Sequence, residues 1–442
     1  MARQRTRIPL NVFLNNRLVG RLQRRTSGAM DFAYDHRWLD WEHALPVSLS
    51  LPLREDPYIG DPVIAVFANL LPDDDLIRRR LAERVGAAGH DAYSLLAAVG
   101  RDCVGALQFL TDGEEPGPVG SLSGRSLKDR EIANILSDLK RTPLGVDGSE
   151  EFRISLAGAQ EKTALLYWQD KWQVPHDTTA TTHILKPEIG TLPNGIDLTQ
   201  SIENEHLCMR LTEALGLPTP QTRMQEFSGK RALVVERFDR RWTSDGRLLR
   251  LPQEDCCQAL SVPPTRKYES ERGPGIRQVL ELLKASDEPD SDQRLFLKAQ
   301  IVFWLIGATD GHAKNFSIYL LPGGRFHLTP LYDVMSAQPN VDAGRIQHNR
   351  MKLAMAVGDK RHYGVNSVMP RHFLQTAVRC GLPAEFAQGI LDEIQACAER
   401  AIEATLAGLP ADFPEALSAS IIDGIRRRLQ LIAQEKNAGS TI

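Results

Sequence analysis

The chain has 442 residues, 42% of them hydrophobic and 25% charged, an ordinary globular composition with enough apolar material for a large core. Its formal charge of −3 excludes a uniformly basic nucleic-acid binder and leaves any DNA contact to a local patch or a partner. Cys103, Cys208, Cys256, Cys257, Cys380 and Cys397 form no C-x-x-C pair and no Cys/His finger spacing, so reduced thiols are expected rather than disulfide staples or zinc.

Ile8 to Leu14 and Arg17 to Leu22 are short β-like runs around Asn15-Asn16, which predicts a hairpin. Pro62 to Leu71 reads as a helix ending at Pro72. Asp73 is expected to cap the next helix, with Asp74-Asp75 at its start and Arg78-Arg79-Arg80 after them. Residues 111–124, TDGEEPGPVGSLSG, are rich in Gly, Pro and acids and read as a linker or long loop. Leu127 to Leu139 is helical in period. From Phe152 to about Phe238 strand-like runs alternate with turns and one strong helix, Ile202 to Leu215, which ends at Gly216 as a C′ residue should. From Arg277 onward the pattern is mostly helical, interrupted by a hairpin-like stretch from Phe316 to Tyr332. No run approaches the ~20 apolar residues of a membrane span, and the basic N-terminus is not followed by a signal-peptide h-region, so a cytoplasmic protein is expected.

The order predicts an α+β fold: a two-lobe, protein-kinase-like enzyme with a mixed α/β N-terminal subdomain over 1–115, a β-rich lobe over 125–240 and a largely helical C-terminal lobe over 241–442. A doubly wound sheet is a poor fit, because strands and helices do not alternate regularly.

Four segments carry chemistry. In QIVFWLIGATDGHAKNFSIYL, residues 300–320, an apolar helical run ends at Gly307, a polar loop follows, and a strand leads out. Asp310 and Asn315 lie on that loop, and Asp333 follows the paired strands. Phosphoryl transfer needs this set: one carboxylate takes or orients the hydroxyl proton, while an amide oxygen and a second carboxylate hold Mg²⁺. The step of five from Asp310 to Asn315 matches the kinase catalytic loop. Taken singly, each of the three could instead cap a turn or a helix; it is the ordered set that points to a kinase. His312 could touch phosphate or orient Asp310.

In FRISLAGAQEKTALL, residues 152–166, the small turn Ala157-Gly158-Ala159 lets backbone N–H groups approach phosphate, and Lys162 adds charge. It is not a Walker A loop, because Glu161 stands where the second Gly belongs; a plain β-turn is the alternative. Ser155 in this segment is a candidate for phosphorylation. Lys186, at the end of an apolar strand in THILKPE, should find an anion, because burying it alone is costly. Glu203 and Glu205 on the following helix are candidates to steady it; an edge-strand lysine snorkelling to solvent is the alternative. In ALVVERFDRRW, residues 232–242, the backbone of Glu236 and Phe238 could meet an adenine edge, and an edge strand with a solvated charge run is the plainer reading.

Together FRISLAGAQEKTALL, LKPEIG, VVERFDRRW, LRLPQEDCCQ, WLIGATDGHAKNFS and LTPLYDVMSA resemble the HipA family of bacterial toxin kinases. LPVSLSLPL, VFANLLPDD and AAVGRDCVGAL resemble that family's N-terminal subdomain, so the resemblance spans nearly the whole chain. It implies a serine/threonine kinase using ATP and Mg²⁺ that arrests translation by phosphorylating glutamyl-tRNA synthetase or a related target. It also implies a small helix-turn-helix antitoxin, HipB-like, that neutralises the kinase and represses the operon. By resemblance Asp310 is the catalytic base and Lys186 the phosphate-binding lysine. Asn315 and Asp333 are the metal ligands. Ala157, Gly158, Ala159, Gln160, Glu161 and Lys162 form the ATP loop, and Glu236, Arg237 and Phe238 the adenine segment. His312, Ala313, Lys314 and Tyr332 line the nucleotide, and Ser155 is the serine whose autophosphorylation ejects the ATP loop. The family's basic, DNA-touching stretch reads TAVRCG here, with Arg379 its only charge, which shifts operator contact mainly to the antitoxin. An aminoglycoside-type small-molecule kinase and a non-catalytic corepressor are the competing readings. The first has no need of the N-terminal unit; the second requires a broken site, whereas Lys186, Asp310, Asn315 and Asp333 are all present.

Overall fold

A computed structural model of the chain describes residues 9–145, 153–158 and 160–439. The fold is mixed α/β, and the chain divides into two compact units. The first comprises Met1–Pro187, Gln225–Thr265 and Ile318–Phe326; the second comprises Glu188–Met224, Arg266–Ser317 and His327–Ile442.

The first unit begins with the expected hairpin, Leu10–Leu14 paired with Arg17–Arg24. Asn15 and Asn16 both adopt positive φ, 44° and 68°. A two-residue turn of this hand matches the twist of the strands, and asparagine tolerates it. Met30–Tyr34 and Tyr58–Ile59 extend the sheet on one side and Leu107–Thr111 closes the other. Its inward residues Val12, Val19, Leu22, Phe32 and Phe109 are buried. Phe67 wedges between Phe32 and Phe109, with ring centroids 5.4 and 5.6 Å away.

Two helix boundaries differ from expectation. The helix begins at Asp61, with Pro62 in its first turn, and stops at Ala68, short of Leu71. The following helix, Asp75–Val85, is capped by Asp74 rather than Asp73: Asp74 accepts from the Ile77 amide and has extended φ/ψ. Asp73 instead donates its amide to the carbonyl of Gly158. Residues 112–123 form the expected long connection between Leu107–Thr111 and Gly124–Ser126. It is fastened down, with Gly120 accepting from the Leu248 amide.

The second sheet of this unit carries Lys186. Its strands lie in the order Thr222–Phe227, Lys230–Glu236, His183–Pro187, Thr163–Trp168, Lys171–Pro175, Gly124–Ser126. His183–Pro187 and Lys230–Glu236 are therefore interior strands. The edge-strand readings of Lys186 and of residues 232–236 do not hold, because neighbours on both sides use their backbone groups.

The second unit is built on helices Ser201–Ala214, Ile276–Leu283, Pro289–Ile306, Pro370–Arg379, Ala384–Ala407 and Glu415–Gly439. Trp304, Phe296, Phe316 and Phe373 are fully buried in it. Gly216 follows the helix Ser201–Ala214 at φ 82°, as its C′ position predicts. A hairpin absent from the sequence reading, Lys352–Val357 with His362–Gly364, interrupts the helices. Among the described residues no helix is long and apolar enough to cross a membrane.

Candidate active site

In the second unit the helix Pro289–Ile306 is stopped by Gly307 at φ 73°, whose N–H reaches the carbonyls of Phe303 and Trp304. The buried run IVFWLI fixes the helix in the core, so the loop that follows starts from a rigid base. A Cβ on Gly311 would lie 2.3 Å from Cδ2 of Phe303, so only glycine lets the loop cross that ring. Phe316 then returns the chain to the core between Phe296 and Phe303, 4.8 and 5.7 Å away.

The loop is closed by its own polar groups. The carbonyl of Asp310 accepts from the His312 amide at 2.8 Å and from Nδ2 of Asn315 at 2.7 Å. With its nitrogen committed, Asn315 has its amide oxygen left for a cation. Asp310 keeps its carboxylate in the open, 60% exposed, while His312 is buried with Nε2 3.9 Å from Oδ1 of Asp310. Ala313 and Lys314 are buried as well.

One partner of Asp310 was not foreseen. The hydroxyl of Tyr268 donates to Oδ1 of Asp310 at 2.5 Å, and its ring meets the His312 ring edge-on at 4.9 Å. Tyr268 belongs to no motif, so no local signal in the sequence marks it.

Asp333 is held by its neighbours in the chain. The Tyr332 hydroxyl donates to the carbonyl of Lys314 at 3.0 Å and lies 2.6 Å from Oγ of Ser317. Asn204 exchanges two 2.8 Å hydrogen bonds with the backbone of Ser336, and the Ala337 amide bonds the Gly307 carbonyl. Between these anchors Asp333 sits at φ 61°, a left-handed conformation that costs energy in a non-glycine residue and clusters at functional sites. Asp310, His312, Lys314, Asn315 and Tyr332 are thus brought together, with Asp333 next in the chain. Glu203 and Glu205 are buried on the helix Ser201–Ala214.

In the first unit the ATP-loop candidates are clamped by the N-terminal subdomain. Ser155 is fully buried; its Oγ donates to Leu70 O at 2.7 Å and its amide to Asp102 O at 2.9 Å. Gly158 adopts φ 102°, and a Cβ there would lie 2.6 Å from Nζ of Lys162. Ala157 is half-buried, Lys162 is buried, and Gln160 donates to Pro187 O at 3.5 Å. Glu161 pairs with Arg80 at 3.2 Å; its burial outweighs that pairing and pushes the carboxyl up. Ala159 lies outside the described residues. Lys186 is buried and pairs in register with Leu233.

The adenine-segment residues are heavily committed. Glu236 pairs in register with His183. The Arg237 amide donates to Thr182 O, and Phe238 O accepts from the Tyr319 hydroxyl at 2.9 Å. The Arg237 side chain is buried between Asp239, at 2.7 Å, and Asp102, at 3.3 Å. Arg240 and Arg250 reach the other oxygen of Asp102 at 2.8 and 2.9 Å. Burial alone would push the Asp102 carboxyl up, but Arg240, Arg250 and Arg237 outweigh it and hold it well below the usual carboxylate range. This cluster, which the sequence reading missed, ties the backbone that grips Ser155 to the strands after Lys186.

The donor set suits a nucleotide with a hard cation. An amide oxygen and a carboxylate are the kind of oxygen donor Mg²⁺ takes, so Asn315 and Asp333 are the residues that would hold one.

Residues 154–402 match the HipA-like C-terminal domain family and residues 10–110 the HipA N-terminal domain family. The Sinorhizobium fredii protein Y4mE is 38% identical over 355 residues, covering 79% of this chain and 81% of that one. The serine/threonine-protein kinase toxin HipA of Shewanella oneidensis is 27% identical over 421 residues, 91% of this chain and 90% of its own. A chain of the solved complex of Shewanella oneidensis MR-1 HipA, HipB and operator DNA superposes with a TM-score of 0.79. It is 25% identical and covers 96% of this chain and 98% of that one.

Proposed function

We propose, from the premise that this chain belongs to the HipA family, that it is an ATP- and Mg²⁺-dependent serine/threonine protein kinase acting as the toxin of a toxin–antitoxin pair. The observation that carries the reading is the loop Asp310–Asn315. It leaves one carboxylate open for a hydroxyl and one amide oxygen for a cation.

Asp310 orients the acceptor serine or threonine hydroxyl and takes its proton as the new P–O bond forms. ATP would supply the γ-phosphoryl group, its bond to the β–γ bridging oxygen breaking as ADP leaves, and a bound Mg²⁺ would offset the charge of the phosphates. Asn315 and Asp333 are the oxygen ligands for that cation. By resemblance Lys186 is the phosphate-binding lysine. By resemblance Ala157 to Lys162 serve as the phosphate loop and Glu236 to Phe238 as the adenine segment, while His312, Ala313, Lys314 and Tyr332 are nucleotide-lining residues.

The acceptor by resemblance is a translation factor, glutamyl-tRNA synthetase first. A HipB-like helix-turn-helix antitoxin is the neutralising partner and carries most of the operator contact. Ser155 is the self-inactivation site. Because its hydroxyl is buried against Leu70 O, it can accept phosphate only after the loop leaves its seat. A dianion could not return to a pocket built for a neutral hydroxyl.

The test is a cell lysate incubated with the chain and Mg-ATP, with phosphopeptides read by mass spectrometry. A serine or threonine on one translation factor should gain phosphate, and Lys186→Ala should abolish the signal. Phosphate on small molecules alone would favour the aminoglycoside-kinase alternative.

A further inference from the structure

The second unit carries an open pocket of about 760 Å³ that the catalytic reading does not use. It is lined by Arg272, Arg277, Arg361 and Arg379, with Glu269 and Tyr363 beside them. Four guanidiniums therefore face one carboxylate, in a chain whose overall charge is −3. Positive charge gathered this way is a local feature and not a consequence of composition.

The one carboxylate is already committed. Glu269 accepts from the Ala356 amide at 2.6 Å and from Arg361 at 3.0 Å. Arg361 also donates to the Tyr363 hydroxyl at 2.9 Å. Arg379 donates to the carbonyl of Gly358 at 2.7 Å, which fixes its fork without neutralising it. Among the described residues Arg272 and Arg277 have no carboxylate partner. Arg272 sits at φ 67° at the end of the short turn Glu269–Glu271, a conformation L-residues adopt at a cost.

The pocket is joined to Asp310 through Tyr268. The turn that forms its wall starts one residue after Tyr268, whose hydroxyl rests on Asp310. Four chain steps from Tyr268 to Arg272 span at most ~15 Å at ~3.8 Å each. An extended peptide whose hydroxyl lies on Asp310 covers that span with four or five residues, at ~3.3 Å per residue.

Resting on the kinase reading above, we propose that this pocket is an acceptor-recognition site. It binds carboxylates of an acidic polypeptide segment within a few residues of the serine or threonine that receives phosphate. Guanidinium forks bind carboxylates in paired hydrogen bonds, so the site selects acidic over basic flanking sequence as well as attracting it.

The experiment uses the full chain and two peptides that share one serine, one flanked by Asp and Glu and one by Ser and Gly. Transfer from Mg-ATP should favour the acidic peptide by roughly tenfold or more in kcat/KM, through KM, since each exposed pair contributes up to about fivefold. In Arg272→Glu/Arg277→Glu the ratio should fall to about one or below, and in Arg272→Lys/Arg277→Lys part of it should return. Melting temperature identifies any variant that fails to fold, and the lysine variant then carries the test. Fluorescence anisotropy of a labelled acidic peptide reads the site without catalysis. Binding that weakens in the Glu variant while no transfer occurs supports the pocket and sinks the kinase reading. Equal rates for the two peptides, or an acidic preference unchanged in the Glu variant, would overturn the proposal. So would duplex DNA that binds through the same arginines and is not displaced by the acidic peptide.

Discussion

The hydroxyl of Tyr268 and Oδ1 of Asp310 lie 2.5 Å apart, joined by a hydrogen bond across 42 positions of sequence. One oxygen of the proposed base is thereby held, and the other is left for an acceptor hydroxyl. Tyr268→Phe keeps the ring against His312 and removes only this donor. Phosphoryl transfer should fall about three- to tenfold in kcat, with KM for ATP unchanged, as expected when a catalytic group loses its orientation and not its identity. A steady-state comparison of the two parameters checks it.

Asp102 joins three buried arginines to the backbone that holds Ser155. Asp102→Asn keeps the shape and removes the charge, leaving the guanidiniums of Arg237, Arg240 and Arg250 under-compensated. Breaking such a cluster from one side should cost on the order of 3–5 kcal/mol. Urea denaturation of the variant should show that loss, together with faster proteolysis at Arg153.

Ser155 should be unreactive while its loop is seated, because its Oγ is buried on Leu70 O. Autophosphorylation should therefore be slow and should accelerate at low urea, where the loop opens locally. After modification, ATP affinity should drop at least tenfold, read by calorimetry on protein whose phosphate has been located by mass spectrometry. Unchanged ATP affinity in phosphorylated protein would remove the switch and leave the kinase standing.

Glu254 is fully buried in the first unit, with Oε1 on the Leu49 amide at 2.7 Å. Burial pushes its carboxyl up to about 8, against its hydrogen bonds. A raised folded-state value means the folded chain binds the proton more tightly. The contribution to stability is full below about pH 4.5 and is lost as pH rises toward 8. Glu254→Gln should remove this dependence, so the variant should gain on wild type by a few kcal/mol between pH 5 and 8. Denaturant midpoints at both pH values measure it.

The elements that were legible in the sequence share one property: their signal is local. Asn15-Asn16 announces its turn, Gly307 and Gly216 announce their helix ends, and Asp310 and Asn315, five positions apart, share the loop their spacing suggested. Capping by Asp74 instead of Asp73 was a choice between adjacent, equally able residues, decided by where Asp73 bonds Gly158. The hairpin Lys352–Val357 with His362–Gly364 was hidden because its alternation is short and lies among helices. Tyr268, Asp102 and the arginine pocket were out of reach, since each draws together residues from distant parts of the chain. No periodicity or spacing records such a meeting.

Asp310, proposed as the base of the phosphoryl transfer, can be tested by a single substitution. Asp310→Asn preserves the side chain's size, the backbone carbonyl that Asn315 and His312 hold, and both candidate metal ligands. Transfer of radiolabelled γ-phosphate from Mg-ATP to a protein acceptor should fall by at least a factor of about a hundred, while calorimetry finds ATP bound within about threefold of wild type. Wild-type turnover in Asp310→Asn would rule out Asp310 as the base.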